Sequence, residues 1–288
     1  MTAGLLVIDK PVGPTSHDVV GRVRRAAGLK RVGHAGTLDP LASGVLLVGL
    51  GPATRFLEYL VGLDKVYETT VRLGQATTTY DAEGAITTEW PVDVTEAQVE
   101  ATLVAFRGSI RQRPPAFSAV KQDGQPLYKA ARRGEAVETP ERDVTIHALD
   151  VLDYAPPLLM LRVACSSGTY IRSLAHDLGA ALGCGGHVAA LRRTAIGRFT
   201  LADALPLDAL SPENVRDHLL PPAAAVAHLS RLDVDETAAA RLALGQRLVA
   251  PPDAPVGAAA AFGPGDRFLG VVAVDDEVVR PRKMLAQS

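Results

Sequence analysis

Cysteine is almost missing from this chain of 288 residues. The two present, Cys165 and Cys184, show no CxxC spacing. That excludes a disulfide framework and a thiolate metal site, and a reducing cytoplasm is the expected setting. Long apolar runs are also missing. No segment reaches the roughly 18 uninterrupted apolar residues of a membrane-spanning helix. The opening MTAGLLVIDKPVG has only a short apolar run, Leu5–Ile8, before Asp9 and lacks a signal-peptide layout. Neither sign of charge dominates: 30 Lys+Arg face 32 Asp+Glu, a net charge of −2. A protein that binds polyanions through bulk charge is therefore not expected.

The nucleotide and metal signatures are incomplete. VLLVGLGPATRFLEYL has Gly49-x-Gly51 between an apolar run and a helical pattern, but Thr54 stands where a third glycine belongs, and Pro52 removes a backbone donor. There is no GxxxxGK[ST] loop. No pair of histidines has metal-site spacing, since His176 and His187 stand 11 apart. We expect no metal and no cofactor.

What is present is local. Positive charge clusters at Arg22, Arg24, Arg25, Lys30 and Arg31, and again at Arg111, Arg113, Lys121, Lys129, Arg132 and Arg133. Such clusters, more than net charge, bind phosphates. In RVGHAGTLDPLASGVLLVGLG, Asp39 sits between a glycine-bearing turn (Gly33, Gly36) and the apolar run Val45–Leu50, read as a buried strand. Pro40 fixes its own φ and biases Asp39 away from α geometry. Two further sites place charge or a phenol in constrained settings. Arg172 in SSGTYIRSLAHDLG follows Gly168 and Tyr170 where a strand turns into a helix; Lys65 and Tyr67 lie in the alternating DKVYETTVRLG. Each alone also fits an ordinary turn, surface or core role.

Strand and helix signals alternate without the regularity of a doubly wound sheet. The reading is an α+β (mixed α/β) catalytic domain over 1–210, a Pro- and Ala-rich linker over 211–230, and a small module over 231–288. Helices are expected from Ser16, near Thr54, over VTEAQVEATLVAFRGSI, over TYIRSLAHDLGAALG and over DETAAARLALGQRL. Strands are expected at Leu5–Ile8, in DKVYETTVRLG, and on both sides of Pro156-Pro157. RQRPPAFSAVKQDGQPLYKAARRGEAVE reads as a loop, an Asp-Gly turn and a helix, and GGHVAALRRTAIGRFTLADAL as a mixture of helix and strand.

Several of these segments, in order, resemble the bacterial tRNA pseudouridine-55 synthases (the tRNA pseudouridine synthase B family). GHAGTLDPLASGVLLVGLGPATR is similar to the catalytic motif of that family. LLVIDKPVGPTSHDVV is similar to its KPxGxTS segment, and LDKVYETTVRLGQATTTYDAEG to its KxY strand and acidic loop. RQRPPAFSAVKQDGQPLYKAARRGE, SSGTYIRSLAHDLG and GGHVAALRRTAIGRF match its later motifs. The likeness covers about residues 4–200. One departure stands out: the family loop TDTxDxEG reads TTTYDAEG here, so Thr78 replaces the first acidic residue while Asp81 remains.

The resemblance implies a pseudouridine synthase fold, with a mixed, largely antiparallel central sheet and a small C-terminal PUA-like domain. It implies isomerisation of uridine-55 in the tRNA T-arm, with the target base flipped out of its stack. Asp39 would be the nucleophile and Arg172 the counter-ion that keeps it charged. Tyr67 would stack on the base and handle a proton. Tyr170 would wall the pocket, His34 would fill the vacated base position, and Leu191 and Lys65 would contact substrate. The expected partner is tRNA, without membrane or guide RNA, since the chain ends KMLAQS with no Lys-rich tail; a monomer is expected. Rival readings are a non-catalytic tRNA-folding protein, a guide-RNA-dependent relative and a nucleotide-cofactor enzyme.

Overall fold

The computed structural model describes residues 2–115, 121–122, 125–126 and 139–285. The strands are β1 (Gly4–Lys10), β2 (Val32–Ala35), β3 (Ala42–Leu50), β4 (Lys65–Leu73), β5 (Gln75–Thr77), β6 (Ile86–Glu89) and β7 (Gly108–Gln112). They continue as β8 (Lys121–Gln122), β9 (Gln125–Pro126), β10 (Arg142–Ala155), β11 (Leu158–Cys165), β12 (Gly186–Ile196), β13 (Phe199–Thr200) and β14 (Leu205–Pro206). Two compact units emerge. One comprises Met1–Leu38, Leu46–Gly62 and Ala202–Ser288, the other Asp39–Val45 and Leu63–Leu201. The sequence-based boundaries at 210 and 231 both fall inside the first unit.

In the first unit, β1 pairs with β14 in parallel and β2 pairs with β3 antiparallel. The Ser16–Ala27 helix starts at a capping box: Thr15 accepts from the Asp18 amide while the Asp18 carboxylate accepts from the Thr15 amide. Its apolar face, Val19, Val20 and Val23, joins Leu6, Ile8, Leu46, Val48 and Leu50 in one buried cluster. The expected helix near Thr54 is instead a 3-10 turn, Gly51–Phe56, followed by a short α-helix, Leu57–Val61. Thr54 donates its hydroxyl back to the Gly51 carbonyl within that turn. A separate five-stranded sheet runs in the order Ser230–Asp233, Gly257–Gly263, Arg267–Val274, Val278–Met284, Leu248–Val249. With the Glu236–Ala243 helix it encloses Leu232, Ala239, Leu242, Val272 and Val279.

The second unit holds the strand order β3-β12-β4-β11-β10-β7. Only the β3–β12 pairing is parallel; the other four are antiparallel. Strand β4 shows why the sequence alternates. Lys65, Tyr67, Thr69, Val71 and Leu73 are buried, and Val66, Glu68, Thr70 and Arg72 are less so. The Ile171–Ala181 helix buries Leu174, Ala175 and Leu178 in a core shared with Val71, Leu73, Leu161 and Val188.

In GGHVAALRRTAIGRFTLADAL the helical part is confined to a 3-10 turn, Leu201–Asp203, and Gly186–Ile196 is one strand. The Ala/Leu/Arg composition favours helix, but β12 lies between β3 and β4 and its backbone groups are used on both sides. Tertiary pairing overrides local propensity there. The helix expected over VTEAQVEATLVAFRGSI is corrected at its end: the helical turns stop at Phe106, and Gly108–Gln112 is strand β7, paired with β10. Lys121–Gln122 and Gln125–Pro126 pair antiparallel around the Asp-Gly pair. The expected helix after them lies outside the described residues. Among the described residues, no helix is long and apolar enough to cross a membrane.

Candidate active site

The site forms where β12 lies between the start of β3 and the start of β4. Parallel register sets Leu191 beside Ala42 and Arg193 beside Gly44. Antiparallel register sets Leu191 opposite Thr69 and Arg193 opposite Tyr67. Residues opposite one another share a face of the sheet. The turn that feeds β3 is closed by the Ala42 amide donating to the Asp39 carbonyl at 3.1 Å. Asp39 therefore emerges at the end of the sheet, next to the strand that carries Leu191 and Arg193.

Arg172 comes from the first turn of the Ile171–Ala181 helix. No side chain caps that helix; instead the Gln112 carboxamide accepts from the Tyr170 amide at 2.7 Å and donates to the Tyr170 carbonyl at 3.0 Å. A cation in a first turn opposes the helix dipole, so Arg172 needs carboxylates, and it has two. Its Nη2 lies 3.0 Å from Asp39 Oδ2, and its Nη1 lies 3.1 Å from Asp81 Oδ2. Nη1 also donates to the Thr79 carbonyl at 3.2 Å. The fork of the guanidinium thus joins two carboxylates from different parts of the chain, which a lysine ammonium does not reproduce.

The carboxylates differ in their surroundings. The Asp81 side chain is 3% exposed and that of Asp39 is 42% exposed. Asp81 is also held by its own loop, its Oδ1 accepting from the Thr79 hydroxyl and from the Glu83 amide at 3.1 Å. Its backbone is tied to β12: the Ala82 amide donates to the Val188 carbonyl, and the Val188 amide to the Tyr80 carbonyl. The loop closes tightly at Gly84, where a Cβ would lie 2.4 Å from Thr79 Oγ1. Thr78, at the departing position, is exposed. None of the Arg172 contacts described runs through its side chain.

Beside this network, Tyr67 is buried, and burial pushes its phenol up; the neighbouring Arg193 guanidinium opposes that rise and the Asp39 carboxylate adds to it. Arg193 is 1% exposed and donates from Nε to the Val45 carbonyl at 2.8 Å. Lys65, two residues along the same face of β4, donates to the Leu63 carbonyl at 2.5 Å. Its amine is pulled down to about 8, first by burial and then by Arg193. Cys165, opposite Lys65 across β4 and β11, is buried and its thiol is pushed up to about 11. Leu191 is partly buried against the core. Tyr170 packs under Arg142, whose guanidinium carbon lies 5.7 Å from the ring centroid.

Of the residues singled out in the sequence, Asp39 and Arg172 are in direct contact, Tyr67 lies near enough to feel the Asp39 carboxylate, and Lys65, Tyr170 and Leu191 belong to the same unit. His34 lies on β2 in the first unit, opposite Val48. Sequence reasoning missed three features: the buried Arg193, the Gln112 clamp on Tyr170, and a stacked pair, Tyr80 and His176. Arg193 had a weak signal, as the second arginine of an LRRT segment, whereas a lone Gln on β7 gave none. Among the described residues no cluster of His, Cys, Asp and Glu could hold a metal ion.

Comparison with known proteins agrees along the chain. The family described as TruB family pseudouridylate synthase (N terminal domain) matches residues 24–171. The tRNA pseudouridylate synthase B C-terminal domain matches 172–227, and the domain described as Pseudouridine synthase II TruB, C-terminal matches 230–285. The tRNA pseudouridine synthase B of Thermobifida fusca (strain YX) is 49% identical, over 94% of each chain. That of Azoarcus sp. (strain BH72) is 46% identical over 98% of this chain and 95% of its own. Among solved structures, a Cbf5-Nop10-Gar1 complex contains a chain with TM-score 0.77 and 29% identity, covering 98% of this chain and 84% of that one. An H/ACA RNP bound to a substrate RNA containing 2′-deoxyuridine gives TM-score 0.76 and 27% identity over 99% and 85%. With homologous domains from residue 24 to residue 285 and relatives nearly half identical over almost its full length, this chain belongs to the TruB family of pseudouridylate synthases.

Proposed function

We propose that this enzyme converts uridine-55 in the T-loop of tRNA to pseudouridine, with Asp39 as the nucleophile. The observation that carries this reading is the half-exposed Asp39 carboxylate held 3.0 Å from a guanidinium that a buried Asp81 fixes in turn. The relatives named tRNA pseudouridine synthase B support the choice of substrate.

The reaction breaks the uracil N1–C1′ bond, turns the base, and joins C5 to C1′. The C5 proton leaves and N1 gains one, so the change is an isomerisation with no net oxidation and no need of an external cofactor. Asp39 must stay ionised to attack, and Arg172 stabilises that anion through a charge-assisted contact. The target uridine leaves its stack, at a cost of a few kcal/mol. An aromatic face returns roughly 1–3 kcal/mol per base, and Tyr67 is our candidate. Its phenol, protonated at neutral pH, is also placed to move a proton near Asp39. Tyr170 walls the cavity and Leu191 packs against the substrate. Lys65 adds a contact from β4, and His34 occupies the place the base has left. The basic clusters of the first 133 residues and the module over 231–288 hold T-arm phosphates and the acceptor stem, mainly by shape.

We further propose that the enzyme acts as a monomer in the cytoplasm without guide RNA. A guide-dependent reading has one observation in its favour, the likeness to a chain of an H/ACA particle. A T-arm hairpin incubated with the purified chain decides between them: we expect turnover with nothing added, and a requirement for guide RNA or partner proteins defeats the stand-alone reading. The nucleophile is tested by Asp39→Asn, expected to bind tRNA and form no pseudouridine. Full conversion by that variant refutes the assignment.

A further inference from the structure

We propose that Tyr80 and His176 form a stacked clamp that positions Asp81 against Arg172, so that Tyr80 is a positioning residue for pseudouridine formation. This rests on the reading that Arg172 and Asp39 carry the chemistry.

The rings are nearly parallel, 11° apart, with centroids 3.8 Å from each other. That separation is shorter than aromatic pairs usually show, so the two rings lie face to face in direct contact. The partners come from the two segments that the site must hold together. Tyr80 lies between Thr79, whose carbonyl accepts from Arg172, and Asp81, whose carboxylate does so too. His176 stands four residues after Arg172 on the same helix, hence on the same face. The loop and the helix are therefore joined twice, by the ion pair at Arg172 and by the stack one turn further on. Two joints fix an orientation that one leaves free to pivot.

Two costs at these residues indicate that the stack is not incidental. Tyr80 has φ +64°, in the left-handed region that non-glycine residues rarely adopt. Such strain persists where surrounding contacts over-determine it, commonly near functional groups. His176 Nδ1 is buried with no hydrogen-bond partner among the described residues. A ring that forgoes a hydrogen bond and faces a strained tyrosine is placed for its flat surface.

The test uses the full chain and a T-arm hairpin, with three variants at residue 80. Tyr80→Phe keeps the ring, Tyr80→Ala removes it, and Tyr80→Gly removes it while relieving the backbone strain. We expect Tyr80→Phe to keep a rate within about twofold of the parent. We expect Tyr80→Ala and Tyr80→Gly to lower the single-turnover rate about ten- to a hundredfold, as small misplacements of reacting groups do. Their hairpin Kd should stay within about threefold, and Tyr80→Gly should melt no lower than Tyr80→Ala. Adding Tyr80→Ala to Asp81→Asn should bring little further loss, because both remove the same placement. A Tyr80→Gly rate near the parent overturns the clamp, and so does a Tyr80→Phe variant as slow as Tyr80→Ala. Loss of hairpin affinity with an unchanged rate also overturns it, making Tyr80 an RNA contact instead. Asp39→Asn run alongside separates the two ideas. If Asp39→Asn still forms pseudouridine, the reading of the whole site fails; if Asp39→Asn is inert and the Tyr80 variants are fast, only the clamp fails.

Discussion

Gly44 and Arg193 lie backbone to backbone: a Cβ on Gly44 would sit 2.1 Å from the Arg193 carbonyl oxygen, and Gly44 has φ +103°. Both facts exclude a side chain there, one by space and one by conformation. The same approach lets β12 pair with β3 and brings Arg193 to Tyr67. Gly44→Ala should therefore destabilise the protein by roughly 3 kcal/mol or more, read from the denaturant midpoint. A loss under about 1 kcal/mol means that this pairing is looser than described.

Arg172→Lys keeps one positive charge and loses the fork. One ammonium cannot hold Asp39, Asp81 and the Thr79 carbonyl in the same geometry. The expected outcome is a fall in single-turnover rate of about a hundredfold, near 2.7 kcal/mol at the transition state. Hairpin affinity should hold within about threefold. A near-normal rate removes Arg172 from its proposed role.

Asp81 is enclosed and paired, so Asp81→Asn leaves the buried Arg172 guanidinium short of one charge. Breaking one side of a buried pair costs roughly 3–5 kcal/mol, and thermal unfolding should show a drop of that order along with a slower reaction. Thr78→Asp supplies the contrast. Thr78 is exposed, and the added carboxylate should change stability by less than about 0.5 kcal/mol and leave the rate within twofold. A large gain in rate for Thr78→Asp shows that the missing acid matters after all.

Lys65 gives a pH-dependent signature. Its amine is held near 8 in the folded protein, against about 10.4 unfolded. Between those values the unfolded chain carries more protons, so stability from this group rises with pH. Below pH 8 the full cost of burying the charge is present. Lys65→Met removes that cost. Its stability advantage over the parent should be largest at pH 7 and shrink by about 2 kcal/mol by pH 10. The Cys165 thiol, pushed up to about 11 mainly by burial, stays largely neutral up to pH 10 in the folded parent, and losing Lys65, which lowers it, only keeps it neutral further, so it adds little to the difference. An advantage that does not change with pH shows that Lys65 is not desolvated.

Much of the second unit was legible from sequence because its signals are local. Strand β4 alternates, the Ile171–Ala181 helix follows its glycine-bearing turn, and Asp39 stands on a stiffened loop. The Asp39–Arg172 pairing was expected from motif likeness alone, since nothing local links two residues so far apart in the chain. Strand β12 was only half legible, as part of a helix-and-strand mixture, because its composition favours helix and its partners on both sides come from elsewhere. The Tyr80–His176 stack left no trace either. It depends on where a loop lands on a helix, and the only hint was a bulky residue in a turn that glycine would suit better.

The unequal exposure of Asp39 and Asp81 has a practical consequence for blocking this enzyme. Every oxygen of Asp81 is already engaged within the protein, so an incoming drug-like cation finds one anionic handle, not two. An amidine or guanidine that takes Asp39 Oδ2 competes with one arm of Arg172, while the other arm stays anchored on Asp81. Compounds with a single planar cationic group therefore suit this target better than dications.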